Sequence, residues 1–180
     1  MNVRYTAPAV ALHWLIALLI FVAFPLGVYM HDLPLSPDKL KLYSYHKWIG
    51  ISVLLLVGLR LVWRATHTPP PLPAGLPRWQ RAASHAVHGL LYLLMMAVPM
   101  SGWLMSSAKG FQTVWFGVLP LPDLVEKSRE LGSVLGEVHQ ALNYLLLALV
   151  ILHLAAALKH HFMERRPFLQ RMAPGRKETA

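Results

Sequence analysis

Residues 136–162, GEVHQALNYLLLALVILHLAAALKHHF, join an apolar run of membrane-spanning length to two histidines fourteen residues apart. Fourteen residues of α-helix rise about 21 Å and turn through about 1400°, which is within about 40° of four full turns. His139 and His153 therefore share one face near opposite ends of the predicted helix. The stretch predicts a membrane helix that offers one imidazole in each half of the bilayer.

Composition extends this prediction to the whole chain. Of 180 residues, 56% are hydrophobic and only 14% are charged, far from the average of soluble domains. Four apolar runs approach the roughly 20 residues that a helix needs to cross the hydrocarbon core. We therefore predict an all-α membrane protein, with a single four-transmembrane-helix bundle over residues 1–180. The predicted spans cover about residues 9–30, 46–64, 85–105 and 139–161.

Lysine and arginine predict the orientation of the bundle. The N-terminus, the loop between the second and third spans and the C-terminus hold eleven of the 17 basic residues; six acids balance the other six. The positive-inside rule then predicts that both termini lie in the cytoplasm. The net charge of +9 is assigned to this topology and to anionic lipid, so no nucleic acid partner is expected.

Two absences narrow the chemistry. The chain has no cysteine, which excludes disulfides, thiolate-ligated iron–sulfur clusters and covalently attached haem. The first apolar run is longer than the core of a signal peptide and has no small-residue cleavage site before Asp32, so it is expected to be a mature span. Any haem in this chain is therefore expected to be held without a covalent bond to the protein.

Histidines in the first two spans pair by depth with those in the fourth. His13 lies near the cytoplasmic start of the first span, level with His153, and these two residues form the inner pair. His46 lies near the outer start of the second span, level with His139, and these two form the outer pair. Opposed imidazoles inside a helical bundle suit the two axial positions of a haem iron, whereas zinc requires further ligands that the spans lack. We predict one non-covalently bound haem on each pair.

Other histidines leave alternatives open at the cytoplasmic end. His85 and His88 begin the third span, and on spacing alone either could replace a member of the inner pair. His88 is expected near a haem edge, a propionate or a quinone, with a solvated helix end as its alternative. His160 or His161, about two turns beyond His153, is expected to bind a quinone carbonyl or to carry its proton.

Two broader alternatives apply to the membrane histidines as a group. Any single one can be explained by a hydrogen bond to a neighbouring helix, but four that pair by depth are harder to explain in this way. A histidine-lined proton or metal transporter is disfavoured because the spans lack acids and interrupted helices.

Sequence motifs along nearly the whole chain resemble the bacterial cytochrome b561 family. The motifs are LHWLIA, YHKWIGISVLLLVGLRLVWR, TPPPLP, HAVHGLLYLLMMAVPMSGWLM, WFGVLPLP and VHQALNYLLLALVILHLAAALKHHF. The resemblance implies two b haems, ligated by the inner and outer pairs, and a ubiquinone pocket near the cytoplasmic haem in which His160 takes part. It also implies superoxide oxidase activity, in which superoxide is oxidised at the outer haem and ubiquinone is reduced at the inner end. The alternative is an anchor subunit that passes electrons between a partner dehydrogenase or hydrogenase and quinone.

Two features of the outer surface bear on the donor. Lys39, Lys41 and Lys47 crowd the segment that leads into His46, and such a patch raises the local concentration of a small anion such as superoxide. A solvated loop of lysines is the alternative. The long loop between the third and fourth spans is predicted to contribute a short amphipathic helix as a lid.

Overall fold

A computed structural model of the chain describes residues 4–72, 75–165 and 168–173. Its long helices in these ranges are α1 (Ala7–His31), α2 (Pro37–Thr66), α3 (Arg78–Ala108) and α4 (Arg129–Leu158). Each of these helices is long and apolar enough to cross a membrane. The predicted all-α fold with four membrane helices is therefore confirmed, and the cytoplasmic position of both termini stays a prediction.

Local sequence explains where the helices begin. Ser36 caps α2, because its hydroxyl accepts a hydrogen bond from the Lys39 backbone N–H at 3.2 Å, and Pro37 follows at the first helical position. Ser128 caps α4 in the same way, accepting from the Leu131 N–H at 3.3 Å. Both caps lie at the end of the bundle that carries the outer pair. They therefore fix where α2 and α4 begin, and with that the helix faces on which His46 and His139 lie.

The helices pack as α1 on α2, α2 on α3 and α3 on α4. One buried cluster joins α1 to α2, and a second joins α3 to α4. They comprise Ile16, Val53 and Val57 in the first and Leu91, Leu94, Val98 and Leu146 in the second. Large apolar side chains cover much of the outer surface, as expected for helices that face lipid.

A cavity of about 2580 Å³ lies between the helices, and all four of them line it. The outer pair lines one end of this cavity and the inner pair lines the other. His139 and His153 both lie on the uninterrupted helix α4, so the two ends are separated by about 21 Å of helical rise. The bundle therefore holds a space that extends across most of the bilayer.

The outer loop corrects one prediction. The expected amphipathic lid helix is wrong, because this loop forms a hairpin of β1 (Val114–Trp115) and β2 (Leu119–Pro120), and helix resumes only where α4 begins. Phe116 and Gly117 at its tip have φ values of 51° and 72°, which the right-handed helix does not allow. The indole N–H of Trp48 donates to the Val114 carbonyl at 2.6 Å and fastens the hairpin to α2.

The C-terminal segment closes the opposite end of the bundle. After α4 the chain forms a π-helical turn (Lys159–Met163) and a short 3-10 turn (Leu169–Met172). The buried guanidinium of Arg171 donates to the carbonyls of Pro70 and Pro71 at 2.9 and 2.7 Å. The proline-rich loop between α2 and α3 is thereby tied to the segment that follows α4.

Candidate haem-binding sites

The two histidines of the outer pair face each other across the cavity. His46 projects from α2 and His139 from α4, and their ring centres lie 6.3 Å apart with the ring planes 87° to one another. An imidazole nitrogen binds a metal at about 2 Å, so two axial imidazoles on one iron place their ring centres about 6 Å apart. The spacing of the outer pair fits two axial ligands of one iron.

Hydrogen bonds orient the His139 ring. Its Nδ1 lies 3.0 Å from the Val98 carbonyl and 3.0 Å from the Ser101 hydroxyl. The Ser101 hydroxyl donates to the same carbonyl at 2.7 Å. Because a carbonyl can only accept, Nδ1 must carry the proton, which leaves the Nε2 lone pair available for a metal. This arrangement is typical of a metal-binding histidine whose ring is fixed by a second hydrogen bond.

Glycines on the neighbouring helices leave room for both rings of the outer pair. A Cβ atom at Gly102 on α3 would lie 3.0 Å from Cε1 of His139, and one at Gly27 on α1 would lie 3.1 Å from Cε1 of His46. Carbon atoms prefer to be about 3.5–4.0 Å apart, so any larger residue would push against the ring. Gly58 on α2 and Gly89 on α3 have no atom within 4 Å of such a Cβ, so a helix glycine does not by itself imply so close an approach.

The inner pair has nearly the same spacing as the outer one. The ring centres of His13 on α1 and His153 on α4 lie 6.4 Å apart, with an angle of 74° between the ring planes. His88 on α3 is closer to His153, at 5.2 Å, and its Nδ1 lies 2.6 Å from the Ser84 carbonyl. That distance is shorter than the roughly 6 Å expected for two axial ligands of one iron. The spacing therefore favours His13 over His88 as the partner of His153.

Haem requires a different donor set from a bare metal ion. Within residues 4–72, 75–165 and 168–173, no group of three or more His, Asp or Glu side chains could hold a metal ion by itself. Haem needs only two protein ligands, because the porphyrin supplies the other four nitrogen atoms. Two facing imidazole pairs at the ends of one large apolar-lined cavity thus fit haem iron better than a bare metal ion.

The remaining predicted histidines occupy different surroundings. His88 and His160 line the cavity, whereas His85 is exposed and lies outside the lining. The Nδ1 of His160 lies 2.9 Å from a carboxylate oxygen of Glu164, and its ring stacks on Phe168 at 4.8 Å. His160 lies in the π-helical turn, and such turns often occur at functional sites.

Two of the three predicted lysines line the outer end of the cavity. Lys39 Nζ donates to the His31 carbonyl at 3.0 Å. Lys47 Nζ donates to the Ser106 hydroxyl near the end of α3 and to the Phe111 and Gln112 carbonyls just after it, at 3.0–3.3 Å. Lys41 is exposed and lies outside the lining, whereas Lys109 lies in it. The sequence predicts Lys41 as part of the patch only because it is close to Lys39 and Lys47 along the chain. Lys109 is not predicted, because it lies 62 positions further along the chain than Lys47.

Three relatives and one family model match nearly the whole chain. The model for prokaryotic cytochrome b561 matches residues 4–175. Cytochrome b561 homolog 2 of Escherichia coli (strain K12) is 34% identical over 171 residues, which are 94% of this chain and 90% of that protein. Homolog 1 of the same organism is 27% identical over 97% of this chain and 99% of its own length. The probable superoxide oxidase CybB of Yersinia pestis is 28% identical over 97% and 98%, respectively.

Haem b and membrane electron transfer characterise cytochromes of this kind. The match extends over all four membrane helices, including every histidine of the inner and outer pairs. The chain is thus a multi-pass membrane protein that binds haem b and takes part in electron transfer, and it belongs to the prokaryotic cytochrome b561 family.

Proposed function

We propose that the protein is a dihaem superoxide:ubiquinone oxidoreductase of the bacterial inner membrane, with both termini in the cytoplasm. The observation that carries the proposal is the pair of facing histidines at each end of one cavity, with ring centres 6.4 and 6.3 Å apart. His13 and His153 hold the inner haem, and His46 and His139 hold the outer one. Haem, when bound, supplies the one-electron chemistry that the side chains lack.

Superoxide is proposed as the outer donor. A superoxide ion that loses one electron leaves as dioxygen, and two such electrons with two protons convert ubiquinone to ubiquinol. Lys39, Lys47 and Lys109 line the outer end of the cavity, and their positive charge attracts a small anion. The similarity to a protein named as a probable superoxide oxidase supports the same donor.

Ubiquinone is proposed to bind at the inner end of the cavity. His160 lies there, half-buried, with Nδ1 against the Glu164 carboxylate, so its other nitrogen is free to reach a quinone carbonyl. The Glu164 carboxylate fixes the orientation of the imidazole, and a histidine held at this place is suited to transfer a proton to the reduced quinone. His88 borders the same space, between the inner pair and the cytoplasmic end of α3.

Haem stoichiometry tests the ligand assignment. The purified wild-type protein is expected to hold two b haems per chain in a reduced-minus-oxidised spectrum and a haem assay. His46→Ala and His139→Ala are each expected to hold one, because each removes an axial ligand of the outer haem only. His85→Ala is the matched control, since this exposed histidine lies outside the cavity. Two haems in both outer-pair variants would contradict the assignment.

Reduction by superoxide alone tests the activity. The purified protein is expected to be reduced rapidly by a superoxide source without any partner protein and to pass the electrons to added ubiquinone. Because an exposed charge is screened over about 10 Å at 0.1 M salt, the rate is expected to fall as salt rises. Replacing Lys39 by Gln should flatten this dependence more than Lys41→Gln, since Lys41 lies outside the cavity lining.

A different donor would give a different result in the same experiment. If the haems stay oxidised under superoxide but are reduced when a dehydrogenase or hydrogenase is added, the superoxide proposal fails. The anchor-subunit function would then replace it, with the two haems unchanged.

A further inference from the structure

Arg60 places a cation inside the second membrane helix, six residues before α2 ends. Its side chain is partly buried; Nε donates to the Tyr92 hydroxyl at 2.9 Å and one terminal nitrogen donates to the Ala9 carbonyl at 2.7 Å. Both acceptors are neutral, and among residues 4–72, 75–165 and 168–173 no acid lies within ion-pair distance of Arg60. A charge at this depth is costly unless an anion accompanies it.

The position of Arg60 repeats the spacing of the histidines on α4. It follows His46 by fourteen residues, as His153 follows His139. Arg60 therefore lies on the same face of α2 as His46, about 21 Å toward the inner end, and it lines the same cavity. A guanidinium cannot bind iron because it has no available lone pair, but it binds a carboxylate through two parallel hydrogen bonds.

A second arginine adds positive charge beside Arg60, which favours a bound anion further. Arg64 lies one turn beyond Arg60, also lines the cavity, and places its guanidinium carbon 5.8 Å from the centre of the Tyr92 ring. Like charges four residues apart on a helix repel one another. The arrangement of both arginines around one tyrosine is therefore stabilised when an anion lies between them and the inner pair.

We infer that Arg60 binds a propionate carboxylate of the inner haem and, through its charge, raises the reduction potential of that haem. The inference rests on the inner haem of the proposed function. Haem b carries two propionates at one edge, and Arg60 lines the same cavity as both rings of the inner pair and contacts α1 at Ala9, four residues before His13. A nearby cation favours the ferrous haem, which carries one positive charge less than the ferric form.

Potentiometric titration of the full-length, two-haem protein tests the inference. In Arg60→Gln the ratio of reduced to oxidised inner haem at a fixed potential is expected to fall at least about tenfold, which is 59 mV for a one-electron couple. The outer haem is expected to titrate as in the wild type because it lies about 21 Å away. Arg60→Lys keeps the charge and is expected to retain most of the wild-type potential.

A matched control separates this contact from the general charge of the cytoplasmic surface. Arg81→Gln removes an arginine from the same end of α3, where the side chain is exposed and lies outside the cavity. It is expected to leave both potentials unchanged. An equal shift in Arg81→Gln and Arg60→Gln, or none in either, would overturn the inference while leaving the two-haem assignment intact.

Reconstitution with haem whose two propionates are methylated tests the carboxylate directly. In the wild type, methylation is expected to weaken binding at the inner site; in Arg60→Gln, haem and its ester are expected to bind that site equally. This measurement also tests the inference if Arg60→Gln loses the inner haem altogether, because it can be made on the wild-type protein alone. If the wild type binds haem and its ester equally well at the inner site, the inference is overturned.

A lipid phosphate is the competing anion. Arg60 and Arg64 also border a small pocket of about 150 Å³ at the cytoplasmic end, where a phospholipid headgroup could bind. If the effect of Arg60→Gln disappears in uncharged detergent and returns only with phosphatidylglycerol vesicles, the propionate assignment is wrong. Failure of the proposed function is distinguishable, because it would leave the inner haem in place in His13→Ala.

Discussion

Replacing Gly102 by alanine provides a sharp test of how the outer haem is positioned. The new Cβ would lie 3.0 Å from Cε1 and 3.3 Å from Nδ1 of His139. Since carbon atoms normally approach to about 3.5–4.0 Å, the ring would have to move by about 0.5 Å or more. The ring is not free to do so, because its Nδ1 is bound to the Val98 carbonyl at 3.0 Å. Gly102→Ala is therefore expected to displace His139, the proposed axial ligand of the outer haem.

The size of the effect follows from the tolerance of metal ligands. Metal–ligand distances are held within about 0.2 Å, and changes to the groups that support a ligand typically cost 10–100-fold in affinity. We expect a loss of this order, about 1.4–2.8 kcal/mol, in binding of the outer haem. Within a helix, alanine is more stable than glycine by about 0.5–1 kcal/mol, so the protein should not unfold as a result.

Transfer of haem to an excess of a haem-binding acceptor protein measures this affinity for each site. Gly27→Ala should act in the same direction through His46, because its Cβ would lie 3.1 Å from that ring. Gly58→Ala is the control, since it has no atom within 4 Å and should leave both haems bound as in the wild type. Outer haem that is held as tightly as in the wild type in both Gly102→Ala and Gly27→Ala would refute the reasoning.

Three further predictions concern the inner end of the bundle. His13→Ala should lose the inner haem in a haem assay and His88→Ala should keep it, because only the His13 ring has the distance from the His153 ring that two axial ligands of one iron require. The opposite pattern would make His88 the ligand. His160→Ala should leave haem reduction fast but slow ubiquinol formation in stopped-flow measurements, whereas an equal effect on both steps would argue against a quinone role. Arg171→Gln should lower the free energy of unfolding by about 1.5–3 kcal/mol, because it removes charged hydrogen bonds from a buried guanidinium to the carbonyls of Pro70 and Pro71. An unchanged melting temperature would show that this contact does not stabilise the bundle.

Local sequence was sufficient to predict the four membrane helices and the faces of their histidines. Hydrophobic length predicts a span because every residue of a lipid-facing helix meets the same solvent, and the helical repeat then fixes which residues share a face. For this reason the fourteen-residue spacing of His139 and His153 already predicted one imidazole near each end of α4. Their ligation of iron stays a prediction, since it depends on a group outside the chain.

Contacts between helices decided what the sequence left open. Both His13 and His88 lie in the half of the bundle that carries the inner pair, and only the packing of α1 and α3 around α4 gives one of them the spacing for iron. Three further features also depend on residues far apart in the chain. They are the room that Gly27 leaves for the His46 ring, the position of the proton on His139 and the place of Lys109 in the cavity lining. Hydrophobic period and charge are properties of neighbouring residues, whereas a distance across a cavity depends on how separate helices pack together, so only the tertiary structure could supply it.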